Sequence, residues 1–480
     1  MEPQLGCQEL LYVFSFLEIR DLLSAAQVNK VWNEVSMTND LWRKLSLRRW
    51  PHYKAFPVIV GTQTWKQYYF CRSELESRME SGRPEDFICK AMSGHTGKIN
   101  QLAYVSPHEY GFDARTRSVV CTVSSDCTVR AWELHEGTEI WCSPVQPAPL
   151  VNLVAFPQLQ LVVTVDKQGL IMGWKAETGA QVASFSLPTY CSSMEACDHP
   201  EGPFLLAACA EGNLYTLTVP QLQVVSKVTT FPQTFVNLTC SPDRQWVFVS
   251  MSKSESESES MYAQHPDQGP KVFYTQSLLH PSEDGPPVST TLPLKLSSRV
   301  CWAPDEAARL IVVHQDDGQH HCPLITTFEL MADKSKDRVR ILAQQLASFP
   351  LRTMVPPKLM QGHGSQLILL TFNSGQLLLL TIHGMQLMQF EDHRSSITSM
   401  WVDLNWVITS ASDLSLRVYV WNKKNTSPVL KSCYHLLGGS HRWASGFTHV
   451  KSDSVSITAV EARHTGTSIL RSYCYKVQLS

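Results

Sequence analysis

The chain has 480 residues, 43% of them apolar, which is enough to bury a sizeable core in two or more domains or one large repeat array and excludes disorder of the whole chain. Lys and Arg number 41 against 43 Asp and Glu, a net charge of −2, so no global field favours nucleic acid or an anionic membrane as partner. The opening residues lack a basic stretch followed by an apolar run, and no stretch of eighteen apolar residues occurs, so a soluble, intracellular protein of cytoplasm or nucleus is expected. The fourteen cysteines show no Cys-x-x-Cys pair and read as reduced, mostly buried thiols.

The first fifty residues carry short helical patterns. Leu10, Leu11, Phe14 and Leu17 recur at helical spacing, and Asp21 is an expected N-cap before Leu22, Leu23 and Val28. Val31, Trp32 and Val35 continue the pattern until Thr38, Asn39 and Asp40 supply cap-type residues ahead of Leu41, Trp42 and Leu45. About forty residues bury too little apolar surface alone, which suggests a docking module completed by a partner. The order and spacing of Leu5, Leu10, Phe14, Leu17, Leu22, Trp32, Leu41 and Trp42 resemble an F-box, the helical module that binds the Skp-type adaptor of a cullin ubiquitin ligase. The resemblance implies that these eight residues bind the adaptor and, through it, the cullin. Two positions depart from the family pattern: Gly6 stands where proline is usual and Asn29 where cysteine often precedes the tryptophan.

Residues 64–83 are charged, helix-compatible and closed by Gly82 and Pro84. By the same resemblance they form the helical connector between an F-box and a repeat domain.

From Gly94 onward short runs rich in Val, Ile, Leu and Thr alternate with turn residues, so strands replace helices. The clearest unit joins Gly94 and His95 to a strand bearing Thr122, a turn with Asp126, and Trp132 six residues later. It resembles a WD repeat. The resemblance implies that His95, Thr122, Asp126 and Trp132 form a hydrogen-bonded set inside one blade, structural and not catalytic.

Weaker units follow at 151–174, 191–218, 235–277, 301–330, 366–390, 393–421 and 443–477. Gln168 stands where the second unit should have its Asp, the third and fourth lack the tryptophan, and the seventh has Asp413 but Tyr419 at the tryptophan position. Eight units over 94–480 average about 48 residues, slightly above the usual ~40–45 of a blade, and are compatible with seven blades carrying insertions or with eight. The expected fold is mainly β: an F-box at 1–48, a helical linker at 49–90 and a WD-repeat β-propeller at 91–480.

The acidic serine run KSESESES at 253–260 has no apolar residue, so a solvated loop is expected; Ser254, Ser256, Ser258 and Ser260 are candidate phosphorylation sites. His320, His321 and Cys322 lack a fourth ligand at useful spacing, and no metal or cofactor is expected. No phosphate-binding loop, dinucleotide fingerprint or hydrolase motif occurs, so the chain is expected not to be an enzyme. Family propellers that read phosphorylated cargo place arginines on the channel rim; the matching positions here are Asn100, Ser125, Thr398 and Ser412, none of them arginine. Arg130 and Arg417 fall within outgoing strands and read as structural. The reading that results is a substrate-recognition subunit of an SCF-type ubiquitin ligase with an unknown protein cargo. The alternative is a scaffold that binds adaptor or other proteins without driving ubiquitin transfer.

Overall fold

The computed structural model describes residues 5–50, 64–106, 117–251, 269–281, 285–294, 297–315, 322–335, 338–422 and 429–476. Among these, residues up to Ile88, with Arg117 and the segment from Cys474, form one compact unit, and the remainder form a second.

The first unit is helical: α1 (Cys7–Phe14), α2 (Ile19–Ala25), α3 (Lys30–Ser36), α4 (Asn39–Arg49) and α5 (Trp65–Ser81). Helix α2 begins two residues before Asp21, which sits in its first turn instead of capping it; Glu18 is the N-cap residue. Asn29 does cap α3, its side chain accepting from the Trp32 amide. Helix α5 opens on a capping box between Thr64 and Gln67 and closes at Gly82, whose left-handed φ of 58° costs a glycine little. Leu10, Phe14, Leu22, Leu41, Trp42 and Leu45 share one core with Trp50 and Tyr69.

The second unit is an eight-bladed propeller. Seven blades are antiparallel meanders of four consecutive strands. Their inner strands are Ile99–Tyr104, Leu150–Phe156, Cys191–His199, Val236–Cys240, Ser297–Ala303, Leu359–His363 and Ile397–Val402. The eighth combines Ala444–Ser452, Ser456–Arg463 and Ser468–Tyr475 with Phe87–Met92, so its outer strand precedes the first blade in sequence. The choice between seven and eight blades thus falls on eight, because even the units without tryptophan build four strands.

What holds the weak blades is apolar packing between neighbours. Leu205, Ala207 and Leu217 of the third blade share a core with Val163 and Ile171 of the second, while Phe204, Leu206 and Leu214 share one with Val247 and Phe273 of the fourth. The cysteines depart from the expectation of free thiols at one place: Cys197 and Cys240 form a disulfide between the inner strands of the third and fourth blades. Their 43-residue separation leaves no local spacing signal, since the interface alone brings them together. Cys7, Cys89 and Cys142 are exposed.

The third blade turns at Gly212, where φ is +79° and an added Cβ would lie 1.7 Å from the Phe231 carbonyl oxygen. Replacing Gly212 by Ala is expected to destabilise the propeller by upwards of about 1 kcal/mol, seen as a lower melting temperature in calorimetry, whereas Gly202→Ala, with open space around it, costs less.

Candidate functional site

In the helical unit the expected contact residues divide into two groups. Leu10, Phe14, Leu22, Leu41 and Trp42, named from sequence as adaptor contacts, are no more than 2% exposed and lie inside the unit's own core. Their role is to order the helices. Leu17 and Trp32 are partly exposed, and Leu5 is exposed.

The exposed large apolar residues are Tyr12, Val13 and Phe16 around α1, and Val28, Val31 and Met37 around α3. The Tyr12 and Phe16 rings meet edge to face at 5.0 Å. Phe16 protrudes because its turn is clamped from behind: the Arg48 guanidinium donates to the carbonyls of Ser15 at 2.7 Å and Leu17 at 3.3 Å. Phe14 points inward instead and meets Trp32 edge to face at 5.5 Å. Sequence reasoning missed this outer set because it followed a single apolar stripe. The available signal was that Tyr12, Val13 and Phe16 are apolar at positions off the stripe of Leu10 and Phe14, where a one-sided helix carries polar residues. Desolvating several large side chains of this kind is how docking faces gain affinity.

In the first blade the four residues expected to act together do meet. His95 Nδ1 lies 2.8 Å from Asp126 Oδ2 and Nε2 lies 2.8 Å from Thr122 Oγ1, to which Trp132 Nε1 donates at 2.9 Å. Asp126 also accepts from the amides of Thr96 and Thr128. Burial works to raise the Asp126 pKa, but the hydrogen bonds from His95 and Thr128 outweigh it and hold the carboxyl well below its usual range. Both ring nitrogens of His95 are engaged and the set is enclosed, so nothing in it addresses a substrate.

The seventh blade repeats the arrangement with substitutions. His393 Nε2 lies 2.7 Å from Thr409 Oγ1 and Nδ1 lies 3.0 Å from Ser415 Oγ, while Asp413 accepts from the Ser415 and Arg394 amides. In the second blade Trp174 still donates to Thr164 at 2.9 Å, and Asp166, two residues before Gln168, takes over the turn by accepting from the amides of Gln168 and Leu170.

Three of the positions compared with arginine-bearing rims are engaged in hydrogen bonds, two of them between blades. Asn100 donates to the Leu150 carbonyl of the second blade, Thr398 donates to the Phe447 carbonyl of the eighth, and Ser125 accepts from the Lys98 amide. Arg130 pairs with Glu139 within its own blade. The acidic serine run at 253–260, with Ser254, Ser256, Ser258 and Ser260, and the pair His320 and His321 lie outside the described residues. Cys322 has Met354 Sδ as its neighbour at 3.4 Å. Among the described residues no three His, Cys, Asp or Glu side chains converge as metal ligands would, and no helix is long and apolar enough to cross a membrane.

Residues 9–48 match the F-box-like family model, and 87–133 match the WD domain, G-beta repeat model. The chain is 36% identical to human (Homo sapiens) F-box/WD repeat-containing protein 12, over 98% of this chain and 99% of the relative. It is 30% identical to mouse (Mus musculus) F-box/WD repeat-containing protein 15, over 99% of this chain and 100% of that one. Among solved structures, the computationally designed Ika8 protein resembles the fold with a TM-score of 0.55 and 15% identity, covering 80% of this chain and 98% of that one.

Removing the Asp126 carboxylate leaves His95 and two amides without an acceptor, so Asp126→Ala is expected to cost about 1–3 kcal/mol. The folded pKa of Asp126 and of Asp413 lies below the ordinary 3.8, so their stabilisation is present above about pH 4 and is lost as pH falls through the folded values. Melting temperature measured against pH should therefore fall less steeply on the acid side in Asp126→Asn than in the parent.

Proposed function

Because the chain belongs to the F-box/WD-repeat protein family, we propose that it is the substrate-recognition subunit of an SCF-type ubiquitin ligase. The helical unit docks on a Skp-type adaptor and thereby on a cullin, and the propeller holds a protein cargo. The observation that carries the reading is the uncovered apolar set Leu5, Tyr12, Val13, Phe16, Val28, Val31 and Met37 on a small unit that matches the F-box model. Seven large apolar side chains exposed on about forty residues are a cost to an isolated module and a gain to a docked one.

Its mechanism is proximity. Cargo bound to the propeller is raised in effective concentration near the ubiquitin-carrying enzyme, and the catalytic groups belong to other subunits. Apart from the outer set, the inner anchors Leu10, Phe14, Leu22, Leu41 and Trp42 serve docking by fixing the backbone that presents it. Phosphorylation of Ser254, Ser256, Ser258 or Ser260 is proposed to tune cargo binding or turnover, and mass spectrometry after phosphatase treatment tests it.

Pull-down of the intact chain with purified adaptor and cullin tests docking. We expect adaptor and cullin to be retained, and Phe16→Asp with Val31→Asp to lose both while circular dichroism stays unchanged. Retention of adaptor without cullin would favour the scaffold alternative, and loss of neither would remove the outer set from the interface.

Gly6 offers a second test. It occupies the N-cap of α1 with φ −70°, the angle a proline ring imposes, and Glu9, the close neighbour of an added Cβ, can swing away. Gly6→Pro lowers the entropy of the unfolded chain, so the helical unit should gain about 0.4–1 kcal/mol of stability, read as a raised melting temperature.

A further inference from the structure

The connection between the seventh and eighth blades breaks the habit of burying aromatic side chains. It runs from Leu437, the last residue of the outer strand Val429–Leu437, to Trp443, the residue before the inner strand Ala444–Ser452. Trp443 is 57% exposed and Leu437 62%, whereas every other tryptophan in the chain is buried or half-buried. Single exposed aliphatic residues are ordinary on a protein surface, but an exposed indole and a second large apolar side chain on one short loop are the composition of a contact site. The backbone that carries them is pinned. The Gly438 amide donates to the Leu414 carbonyl at 2.9 Å, and the Gly439 amide to Glu461 at 2.8 Å. The amides of Trp443 and Ala444 donate to the Ser440 carbonyl at 2.9 and 3.1 Å, and the Trp443 carbonyl accepts from the His464 amide at 3.1 Å. The Leu437 carbonyl accepts from the Tyr473 hydroxyl at 2.8 Å, and the His441 carbonyl from His464 Nε2 at 3.1 Å. A partner that covers Trp443 and Leu437 therefore pays little to order the loop.

The charge at this loop has one sign. The Arg442 guanidinium carbon lies 5.1 Å from the centroid of the Trp443 ring. His441 and His464 are exposed, and Arg463 lies opposite Ala444 in the eighth sheet. Neither residues 437–443 nor the turn 463–467, which His464 ties to them, contains a carboxylate. The acidic groups on the adjoining elements are already engaged. Glu461, which takes the Gly439 amide, is 1% exposed and paired with Arg471. Asp413, next to Leu414, accepts from the amides of Arg394 and Ser415.

On the reading that the propeller holds a protein cargo, on which this rests, we propose that the 437–443 loop binds a cargo segment presenting a large apolar residue flanked by Asp or Glu. Trp443 and Leu437 cover the apolar residue, and Arg442 meets the carboxylate beside it. A second copy of the chain fits less well, because a symmetric contact brings the same guanidinium groups together. Nucleic acid fits less well too: one ring and a net charge of −2 supply neither a series of stacking platforms nor a basic track.

Selection of a phage-displayed library of random peptides on the full chain tests it, followed by fluorescence-anisotropy titration of a synthetic peptide of the selected consensus. The expected consensus is an aromatic or aliphatic residue beside Asp or Glu. Trp443→Ala should weaken that peptide about tenfold or more, and Arg442→Gln about threefold or more with most of the salt dependence removed. Both side chains are exposed, so the variants should keep the parent's melting temperature and its retention of adaptor. A consensus without acidic residues, or a peptide indifferent to Trp443→Ala, overturns the proposal; if the parent still retains adaptor and cullin, the ligase reading stands. A Trp443-dependent acidic peptide on a chain that retains no adaptor supports the proposal and removes the ligase reading instead. Displacement of the peptide by single-stranded DNA at matched ionic strength, or a dimer in sedimentation that Trp443→Ala abolishes, assigns the loop to another partner and overturns the proposal.

Discussion

Everything in the propeller depends on closure of the ring by a strand borrowed from the other end of the chain. Phe87–Met92 completes the eighth sheet, whose remaining three strands lie beyond residue 443. A single four-stranded blade has two apolar faces and cannot bury either alone. It gains its core only from the blades on each side, so the ring is stable as a whole and leaves few exposed edges. The same requirement explains why blades without the Trp-centred set persist: the apolar interfaces of Leu205, Phe204 and Leu214 do not need it. The polar sets add specificity of register to an architecture whose stability is mainly apolar.

Much of this architecture is legible in residues with strong local signatures. His95, Thr122, Asp126 and Trp132 sit at fixed offsets because a single blade brings them together, so spacing alone locates them. The seventh blade is legible in part, since His393 and Asp413 keep their places while Tyr419 replaces the tryptophan. Asp166 was hidden because it took over a turn from a position two residues away. The Cys197–Cys240 bond is invisible to any local pattern. It arises between the inner strands of neighbouring blades, from cysteines 43 residues apart.

The helical unit shows the opposite limit. Its anchors Leu10, Phe14, Leu22, Leu41 and Trp42 are easy to find because periodicity reports burial. Periodicity does not say whether the burial is against the chain itself or against a partner, and here it is against the chain. Of the exposed apolar residues, Tyr12, Val13 and Phe16 lie off the stripe of Leu10 and Phe14, and Arg48 donates to the Ser15 and Leu17 carbonyls on either side of Phe16.

The central claim is that the outer apolar face of the helical unit is covered by a Skp-type adaptor. Hydrogen exchange of the full chain, measured by mass spectrometry with and without saturating adaptor, tests it most directly because it reads every segment at once. The account predicts slowed exchange in peptides spanning residues 5–37, with the propeller strands from residue 94 onward unchanged. Unchanged exchange in 5–37, or protection confined to the propeller, would contradict it.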